Sequence, residues 1–219
     1  MAGGGGPNSV NGGLVVTLDA ADKISFSSGS VTWTDLSGNN HSGSMTTGTM
    51  GTVSGSESAI AFNGTSDFVT MSTISDTTTL SVEMWINRGN DTSRQFLFNS
   101  GDVDINIDVG HSNGMRINRN NANHPRYTNP SIGEWTHFVT TAPDKSTDPS
   151  VYVNGSLQSG TGADFGTIIG SGSFLGNFGA GHVADVYTGL MAVFKVYDRE
   201  LSAKEVRQNY NATKKRFGV

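Results

Sequence analysis

The sequence predicts an all-β domain, a sandwich or a barrel, that closes with a single helix. Short apolar runs recur along the chain and are separated by turn residues, which is typical of many short strands. Helix signals are confined to the last segment of the chain. The composition agrees, since 29 of the 219 residues are glycine and only 15% are charged, as expected for short strands joined by uncharged turns.

About a dozen short apolar runs are predicted to be strands. They cover residues 14–16, 31–33, 59–62, 68–71, 80–86, 96–98, 103–109, 115–117, 137–139, 151–153 and 190–197. Asn63-Gly64 and Asn154-Gly155 are strong hairpin signals, because both residue types tolerate the positive φ of a type I′ turn. We therefore expect tight turns at these two points.

The closing strand, residues 190–197, has a period of two and is expected to present two faces. The first face holds Leu190, Ala192, Phe194 and Val196. The second holds Met191, Val193, Lys195 and Tyr197, and it stays partly apolar.

The segment after this strand predicts a capped helix. Ser202 and Glu205 have the spacing of a capping box, in which the serine hydroxyl accepts the Glu205 amide while the glutamate reaches back. Lys214, Lys215 and Arg216 fall in the last turn, and Gly218 stands near the C-cap position.

We divide the chain into three parts. Residues 1–13 form a Gly-rich arm, residues 14–200 form the β domain, and residues 201–219 form the helix and a basic tail packed on that domain. The arm cannot fold alone, because glycine has the largest backbone entropy to lose. We expect it to be ordered either by a neighbouring subunit or by packing on its own chain.

Charge is unevenly distributed along the chain. The net charge is −5, yet residues 195–219 hold seven Lys and Arg against three acidic residues, so this end is about +4. The remainder is acidic, which argues against a nucleic-acid partner. Lys214, Lys215 and Arg216 either complement the helix dipole or dock on an acidic partner.

The sequence gives no sign of disulfides, of a zinc site or of a membrane-spanning segment. The absence of Cys excludes disulfides and thiolate metal sites. The five histidines lack zinc-ligand spacing. We find no apolar stretch that would span a membrane and no basic, apolar N-terminal segment typical of a signal peptide, so we expect a protein made in the cytoplasm of a host cell.

Five sequence blocks occur in the order found in concanavalin A-like, laminin-G-like domains. They are residues 18–22 with 32–41, the A-F-N-G-T-S-D-F-V hairpin at 61–69, L-S-V-E-M-W-I at 80–86, G-E-W-T-H-F-V at 133–139, and V-Y-V-N-G at 151–155. The chain resembles that family from about residue 14 to its end. The resemblance implies a two-sheet antiparallel jelly-roll sandwich, and fold alone says little about function.

Some relatives in this family hydrolyse glycans with carboxylates on one strand. The similar stretch here runs from Asp102 to Asp108, and a period of two would place Asp102, Asp104, Asn106 and Asp108 on one face. Retaining hydrolysis needs a paired nucleophile and acid. Glutamate is absent and Asn106 interrupts the row, so we interpret it as a solvated strand face, with Asp102 and Asp104 as the alternative glycan contacts.

Residues 111–127 gather basic and aromatic side chains. Arg116, Arg119, Arg126 and Tyr127 are of the types favoured at interfaces and in sugar stacking. They mark either a contact for a partner or glycan, or an ordinary exposed hairpin.

No cofactor is expected, although many laminin-G-like domains hold one Ca²⁺ at a sheet rim. The resemblance leaves a single structural Ca²⁺ as an alternative, with Asp19, Asp22, Asp35 and Asp67 as the available loop acids. Loop aspartates more often cap turns through their own backbone.

The tail N-Y-N-A-T-K-K-R-F-G, residues 209–218, resembles the ends of such domains in virion proteins of tailed bacteriophages. The leading hypothesis is a non-enzymatic virion structural protein that decorates the capsid or forms part of a fibre. Its expected partners are other virion proteins, such as the major capsid protein, or copies of itself. The alternative is a lectin-like module that binds a host-surface glycan, and a glycoside hydrolase comes third.

Overall fold

A computed structural model describes residues 8–46, 52–53, 58–90, 93–110, 114–119, 125–160, 172–179 and 184–219, with only the backbone described at 52–53. In these residues sixteen strands precede one α-helix. The first eight strands are β1 (Leu14–Asp19), β2 (Thr32–Trp33), β3 (Gly43–Met45), β4 (Thr52–Val53), β5 (Ala59–Asn63), β6 (Val69–Met71), β7 (Leu80–Arg88) and β8 (Gln95–Ser100). The other eight are β9 (Ile105–Val109), β10 (Met115–Arg119), β11 (Arg126–Tyr127), β12 (Trp135–Ala142), β13 (Ser150–Val153), β14 (Ser156–Leu157), β15 (Ser173–Leu175) and β16 (Thr188–Tyr197).

The strands form two antiparallel sheets of eight, which confirms the two-sheet sandwich. The first sheet has the order β14-β13-β12-β7-β16-β5-β4, and β1 also pairs with β16. The second has the order β11-β10-β9-β8-β15-β6-β3-β2. Seven of the fourteen strand pairings join strands that are not consecutive in the chain, so long-range pairing connects the parts of each sheet.

The main hydrophobic core lies between the sheets. Alternate residues of the long strands point inward, such as Val82, Met84 and Ile86 of β7 and Ile105, Ile107 and Val109 of β9. Phe98 and Phe194 meet across the two sheets with ring centroids 4.9 Å apart. All these side chains are at most 1% exposed.

The predicted faces of β16 are wrong at its beginning. The pairing with β7 shifts between Met191 and Val193, where one residue bulges. As a result Met191 joins Phe194 in the main core, while Ala192 lies with Val193 on the outer face. The bulge sits where β16 exchanges one neighbour for another, since residues 188–191 pair with β5 and residues 193–197 pair with β1.

The C-terminal helix α1 (Ala203–Thr213) covers the outer face of the first sheet. Its capping box is confirmed, because Ser202 Oγ accepts the Glu205 amide and Glu205 Oε2 accepts the Ser202 amide at 2.9 Å. The predicted last turn is a separate 3₁₀ turn, Lys214–Phe217, which ends at Gly218 with φ of 72°.

Candidate functional site

A row of side chains crosses the outer face of the second sheet. Register partners link Asn118 to Asn106, Asn106 to Asn99 and Asn99 to Phe174. The same register continues from Phe174 to Thr70, from Thr70 to Ser44 and from Ser44 to Thr32. We call these seven residues the cross-strand row. Because neighbouring strands lie ~4.8 Å apart, the row extends over roughly 29 Å.

The strands place this row outward because their other residues fill the core. Ile105 and Ile107 flank Asn106, and Ile117 precedes Asn118, and all three isoleucines belong to the main core. The strict alternation of side chains then turns both asparagines to the opposite face. The same argument applies to Thr70, which stands between the core residues Val69 and Met71.

At the asparagine end the row is buried and incompletely hydrogen-bonded. Asn106 Nδ2 donates to Asn99 Oδ1 at 3.4 Å, and Asn99 Nδ2 donates to the Phe178 carbonyl at 2.8 Å. The Oδ1 atoms of Asn106 and Asn118 are buried and accept no hydrogen bond within the structure described. Since buried polar groups are usually paired, two unpaired acceptors on adjacent strands need a physical explanation.

The other end of the row is open to solvent. Thr32, Ser44 and Thr70 are exposed. Between the two ends lies Phe174, which packs against Phe68 in an edge-to-face contact with centroids 6.0 Å apart. The row thus combines hydroxyl groups, an aromatic ring and amide groups along one line.

The predicted solvated aspartate face is wrong. Asp108 is completely buried and forms a bidentate ion pair with Arg116. Arg116 Nε donates to Asp108 Oδ1 at 3.0 Å, and Arg116 Nη2 donates to Asp108 Oδ2 at 2.7 Å. Arg116 is itself only 7% exposed. Asp108 and Arg116 face each other in register on β9 and β10, beside the asparagine end of the row.

Asp102 and Asp104 precede β9 and do not share its period. Asp104 adopts a φ of 50°, so the chain turns before the strand begins. Asp102 accepts from the Ser173 hydroxyl at 2.7 Å, while Asp104 pairs with Lys145 at 2.7 Å. The two carboxylates therefore turn toward different partners.

The expected exposed hairpin is also largely buried. Arg119 is 0% exposed and donates to the carbonyls of Thr77 and Thr78. Burial lowers the pKa of its guanidinium despite nearby aspartates. Tyr127 is 5% exposed, donates its hydroxyl to the Pro149 carbonyl at 2.6 Å, and has its pKa raised by burial to about 12. Arg126 is half-buried, and His111 and His124 lie outside the described residues.

The outer face of the first sheet carries a buried polar network centred on Glu83. Lys195 Nζ and His137 Nε2 each lie 3.2 Å from Glu83 Oε1. The Tyr197 hydroxyl and Asn209 Nδ2 donate to Oε2 at 3.1 Å and 2.6 Å. Burial opposes ionisation of Glu83, but the Lys195 charge and the hydrogen bonds outweigh it and hold the pKa of this carboxyl well below its ordinary value.

Aromatic rings complete the cover over this face. Trp85 stacks on Phe217 with centroids 4.0 Å apart and donates its indole N–H to Thr213 at 2.9 Å. Trp135 contacts the same Phe217 ring at 4.8 Å. The C-terminal segment is therefore part of the folded domain.

Of the three basic residues in this segment, Arg216 has an internal role. It pairs with Asp19 at 2.7 Å and donates to the Ser58 carbonyl. Lys214 lies over the Tyr210 ring, 5.2 Å from its centroid. Lys215 is exposed, and its role in docking stays a prediction.

The four loop aspartates cap turns. Asp35 accepts the amides of Thr17, Ser37 and His41, which lower its pKa against the effect of burial. Asp19 and Asp22 accept amides two residues ahead, and Asp67 accepts the Asn63 amide. In the part of the chain that the structure describes, there is no group of three or more His, Asp or Glu side chains that could hold a metal ion.

A cleft lies at one end of the sandwich, away from the cross-strand row. This cleft of about 710 Å³ is lined by polar residues that include Asn39, His41, Asp76 and Asp198. Asn39 Nδ2 donates to the carbonyls of Leu14 and Val15, so its amide holds the adjoining loop in place.

No helix among the described residues is long and apolar enough to cross a membrane.

Sequence reasoning missed Asn99, Asn118 and Phe174, and it treated Asn106 as an interruption. The polar residue type and the period of two around Asn106 and Asn118 were readable signals. Their alignment with Asn99 and Phe174 could not be predicted, because it depends on a register shift between the consecutive strands β8 and β9 and on the pairing of β8 with the distant strand β15.

Solved structures share this fold at low sequence identity. A sialidase of Trypanosoma rangeli, in complex with 2,3-difluorosialic acid, aligns with a TM-score of 0.66 and 14% identity over 93% of this chain and 33% of that chain. The chain thus spans about a third of the sialidase.

Two further similar structures are single domains of larger proteins. Domain 4 of AbnA, an extracellular arabinanase of Geobacillus stearothermophilus, in complex with arabinotriose, gives a TM-score of 0.60 and 18% identity over 90% of this chain and 98% of that chain. The binding domain of Paraclostridial Mosquitocidal Protein 1 gives 0.62 and 18%, over 91% and 52%.

Among curated proteins no sequence matches. The family model described as the concanavalin A-like lectin/glucanases superfamily matches residues 63–207. That match covers more than half of the sequence and agrees with the two-sheet sandwich, so the chain belongs to the concanavalin A-like lectin/glucanases superfamily.

Proposed function

We propose that this domain is a non-enzymatic glycan-binding module whose ligand lies along the cross-strand row. The observation that carries the proposal is the row itself, with two unpaired amide oxygens at its buried end. A glycan presents many hydroxyl donors, which are the groups that Asn106 and Asn118 lack as partners. Thr32, Ser44 and Thr70 add exposed groups that both donate and accept.

The carboxylates near the row favour binding over hydrolysis. Hydrolysis needs one carboxylate free to attack or to activate water and another free to donate a proton. Asp108 is paired with Arg116 and Asp104 with Lys145, while Asp102 accepts a hydrogen bond from the Ser173 hydroxyl. We therefore expect the purified domain to release no reducing ends from the glycans it binds, and turnover lost in Asp108→Asn would contradict the non-enzymatic assignment.

The fold neighbours support the choice of ligand class. The arabinanase domain, which is covered almost entirely by this chain, was solved in complex with arabinotriose. Arabinotriose is accordingly the first probe, followed by an array of bacterial and plant oligosaccharides. At such low identity the neighbour suggests the class of ligand and leaves the particular sugar open.

A matched pair of variants tests the location of the site. Ser44 lies exposed in the row on β3, and Ser156 lies exposed on the edge strand β14 of the first sheet. Ser44→Lys and Ser156→Lys introduce the same side chain and charge at opposite sheets. We expect Ser44→Lys to weaken binding at least tenfold and Ser156→Lys to leave it unchanged, as measured by calorimetry. Equal affinities for the two variants would place the site elsewhere.

A virion structural role is the second candidate, and it is compatible with glycan binding. It is favoured by the resemblance of residues 209–218 to virion proteins of tailed bacteriophages and by the exposure of Lys215. Its partners would be the major capsid protein or further copies of this chain. The test is whether the chain co-purifies with intact particles and whether Lys215→Glu lowers its occupancy there. Arg216 is unsuitable for this test because it pairs with Asp19 inside the domain.

A further inference from the structure

Three buried side chains meet beneath helix α1, namely Glu83 of β7, Lys195 of β16 and Asn209 of the helix itself. Glu83 and Lys195 face each other in register on neighbouring strands, and Asn209 reaches Glu83 from the helix. Glu83 and Asn209 are 0% exposed, and Lys195 is 7% exposed. A lysine amine, a carboxylate and a carboxamide are together the groups needed to form an amide bond between two side chains.

Glu83 holds the other two groups on its two oxygens. Lys195 Nζ donates to Oε1 at 3.2 Å, and Asn209 Nδ2 donates to Oε2 at 2.6 Å. The carboxylate is therefore placed to move a proton from the amine to the amide nitrogen. The Tyr197 hydroxyl also donates to Oε2, and burial together with the Glu83 charge raises the pKa of this hydroxyl, so it stays protonated.

The backbone of Val10 orients the Asn209 carboxamide. The Val10 amide donates to Asn209 Oδ1 at 2.7 Å. Because a backbone N–H can only donate, this contact places the carboxamide oxygen on Val10 and the carboxamide nitrogen on Glu83. The same N–H would stabilise the negative charge that develops on Oδ1 when an amine attacks the carbon. Val10 belongs to the N-terminal arm, the described part of which thus packs on its own domain.

We propose that Lys195 and Asn209 form an intramolecular isopeptide bond. The Lys195 ammonium first loses a proton to solvent. The lone pair of Nζ then forms a bond to Asn209 Cγ, and the bond between Cγ and Nδ2 breaks. Glu83 takes a second proton from Nζ through Oε1 and delivers one to Nδ2 through Oε2, so Glu83 ends unchanged. The carboxamide nitrogen leaves as ammonia, and the reaction consumes no oxidant, reductant or further reactant.

A smaller cleft connects Lys195 with solvent. It has a volume of about 450 Å³, and its lining also includes Thr17 and Thr213. The cleft provides a route by which the proton and the ammonia leave. The structure describes the chain before the reaction, with the ammonium paired with Glu83, so we expect the bond to form slowly at neutral pH. This inference is independent of the glycan site, which is on the other sheet.

The charge of Glu83 keeps the Lys195 amine protonated. His137 of β12 contacts the same Oε1 atom. Asp19 of β1 lines the smaller cleft as well, but it is paired with Arg216. Since a lysine attacks only after its ammonium has lost a proton, the reactive fraction should rise up to about tenfold for each pH unit toward alkaline pH.

The test is the intact mass of the full chain after incubation at pH 7 and at pH 9, with circular dichroism to follow the fold. The isopeptide bond predicts a loss equal to one ammonia, formed at least about tenfold faster at pH 9 than at pH 7. After digestion with trypsin, tandem mass spectrometry should find the peptide that contains Lys195 joined to residues 208–214.

Lys195→Arg is the matched control, because arginine keeps the positive charge beside Glu83 and its guanidinium does not attack an amide. Asn63-Gly64 and Asn154-Gly155 can also lose ammonia, by forming a cyclic imide with their own backbone, and that loss would continue in Lys195→Arg. Absence of the linked peptide from protein that is still folded after incubation at pH 9 overturns the inference. An ammonia loss of the same extent in Lys195→Arg overturns it as well.

Discussion

The outer faces of the two sheets both bury polar side chains, but those side chains differ in their partners. On the first sheet, each carboxylate oxygen of Glu83 has two partners from four different residues. On the second sheet, Asn106 and Asn118 have buried amide oxygens that accept no hydrogen bond within the described residues. The first face is covered by the chain's own helix, and we assign the second to a ligand.

This contrast separates two uses of a buried polar group. A carboxylate whose two oxygens are both bound by protein groups fixes the position of an element, here helix α1 through Asn209, even though His137 Nδ1 in the same network has no partner among the described residues. Unpaired acceptors contribute nothing to stability and are retained at a cost. Removing a member of the Glu83 network should therefore lower the free energy of unfolding. Removing an unpaired amide of the cross-strand row should weaken ligand binding alone.

The largest expected effect is that of Glu83→Gln. The change leaves the buried Lys195 ammonium without its counter-charge, and removing one partner of a buried ion pair typically costs ~3–5 kcal/mol. Glu205→Gln is the matched control, because glutamine also forms a capping box and this pair is partly exposed. Urea unfolding should show a loss for Glu205→Gln of at most ~1 kcal/mol. Equal losses would refute a central role for Glu83.

The second prediction concerns pH. The folded pKa of Glu83 lies well below its ordinary 4.5, so its ionised form contributes stability above that pH. This contribution is lost as the pH falls below about 4.5 toward the folded pKa. The gap in free energy of unfolding between the unaltered protein and Glu83→Gln should therefore narrow steadily from pH 5 to pH 3. A gap that stays constant over this range would contradict the linkage.

The third prediction tests the basic tail. Arg216→Ala removes the pair with Asp19 and the hydrogen bond to Ser58, and we expect it to cost about 1 kcal/mol. Lys215→Ala, one residue away and exposed, should change the free energy of unfolding by only a few tenths of a kcal/mol. The two variants together measure how much of the tail serves the fold. A reversed order would mean that Lys215 has the structural role.

The smallest effect on stability is expected for Asn118→Leu. It replaces an amide whose oxygen is unpaired by an apolar side chain of similar size, which is nearly neutral or stabilising. Binding to the glycan should nevertheless be lost. Thermal unfolding and calorimetry on the same preparation check both halves, and a severe loss of stability would show that Asn118 belongs to the framework of the sheet.

Local signals in the sequence predicted some turns and missed others. The expected hairpin turn at Asn63-Gly64 is wrong, because Asn63 lacks a positive φ and the flanking strands β5 and β6 belong to different sheets. The capping box of Ser202 and Glu205 and the turn at Asn154-Gly155 follow from neighbouring residues, and the structure has both, with positive φ at Asn154 and Gly155. Features set by distant pairing were not predicted. The bulge after Met191 reflects an exchange of strand neighbours, and the cross-strand row needs the register of seven strands. The buried state of Asp108 was missed because its partner Arg116 lies on the adjacent strand.

The most direct test of the glycan site is a titration followed by NMR. The domain is labelled with nitrogen-15, and the best-binding oligosaccharide from the array is added while backbone and side-chain amide signals are recorded. We expect the largest shifts at the amides of the cross-strand row, above all the side-chain NH₂ groups of Asn99, Asn106 and Asn118. Shifts centred instead on Asn39, His41 and Asp76 in the end cleft, or no binding by any oligosaccharide on the array, would contradict the account.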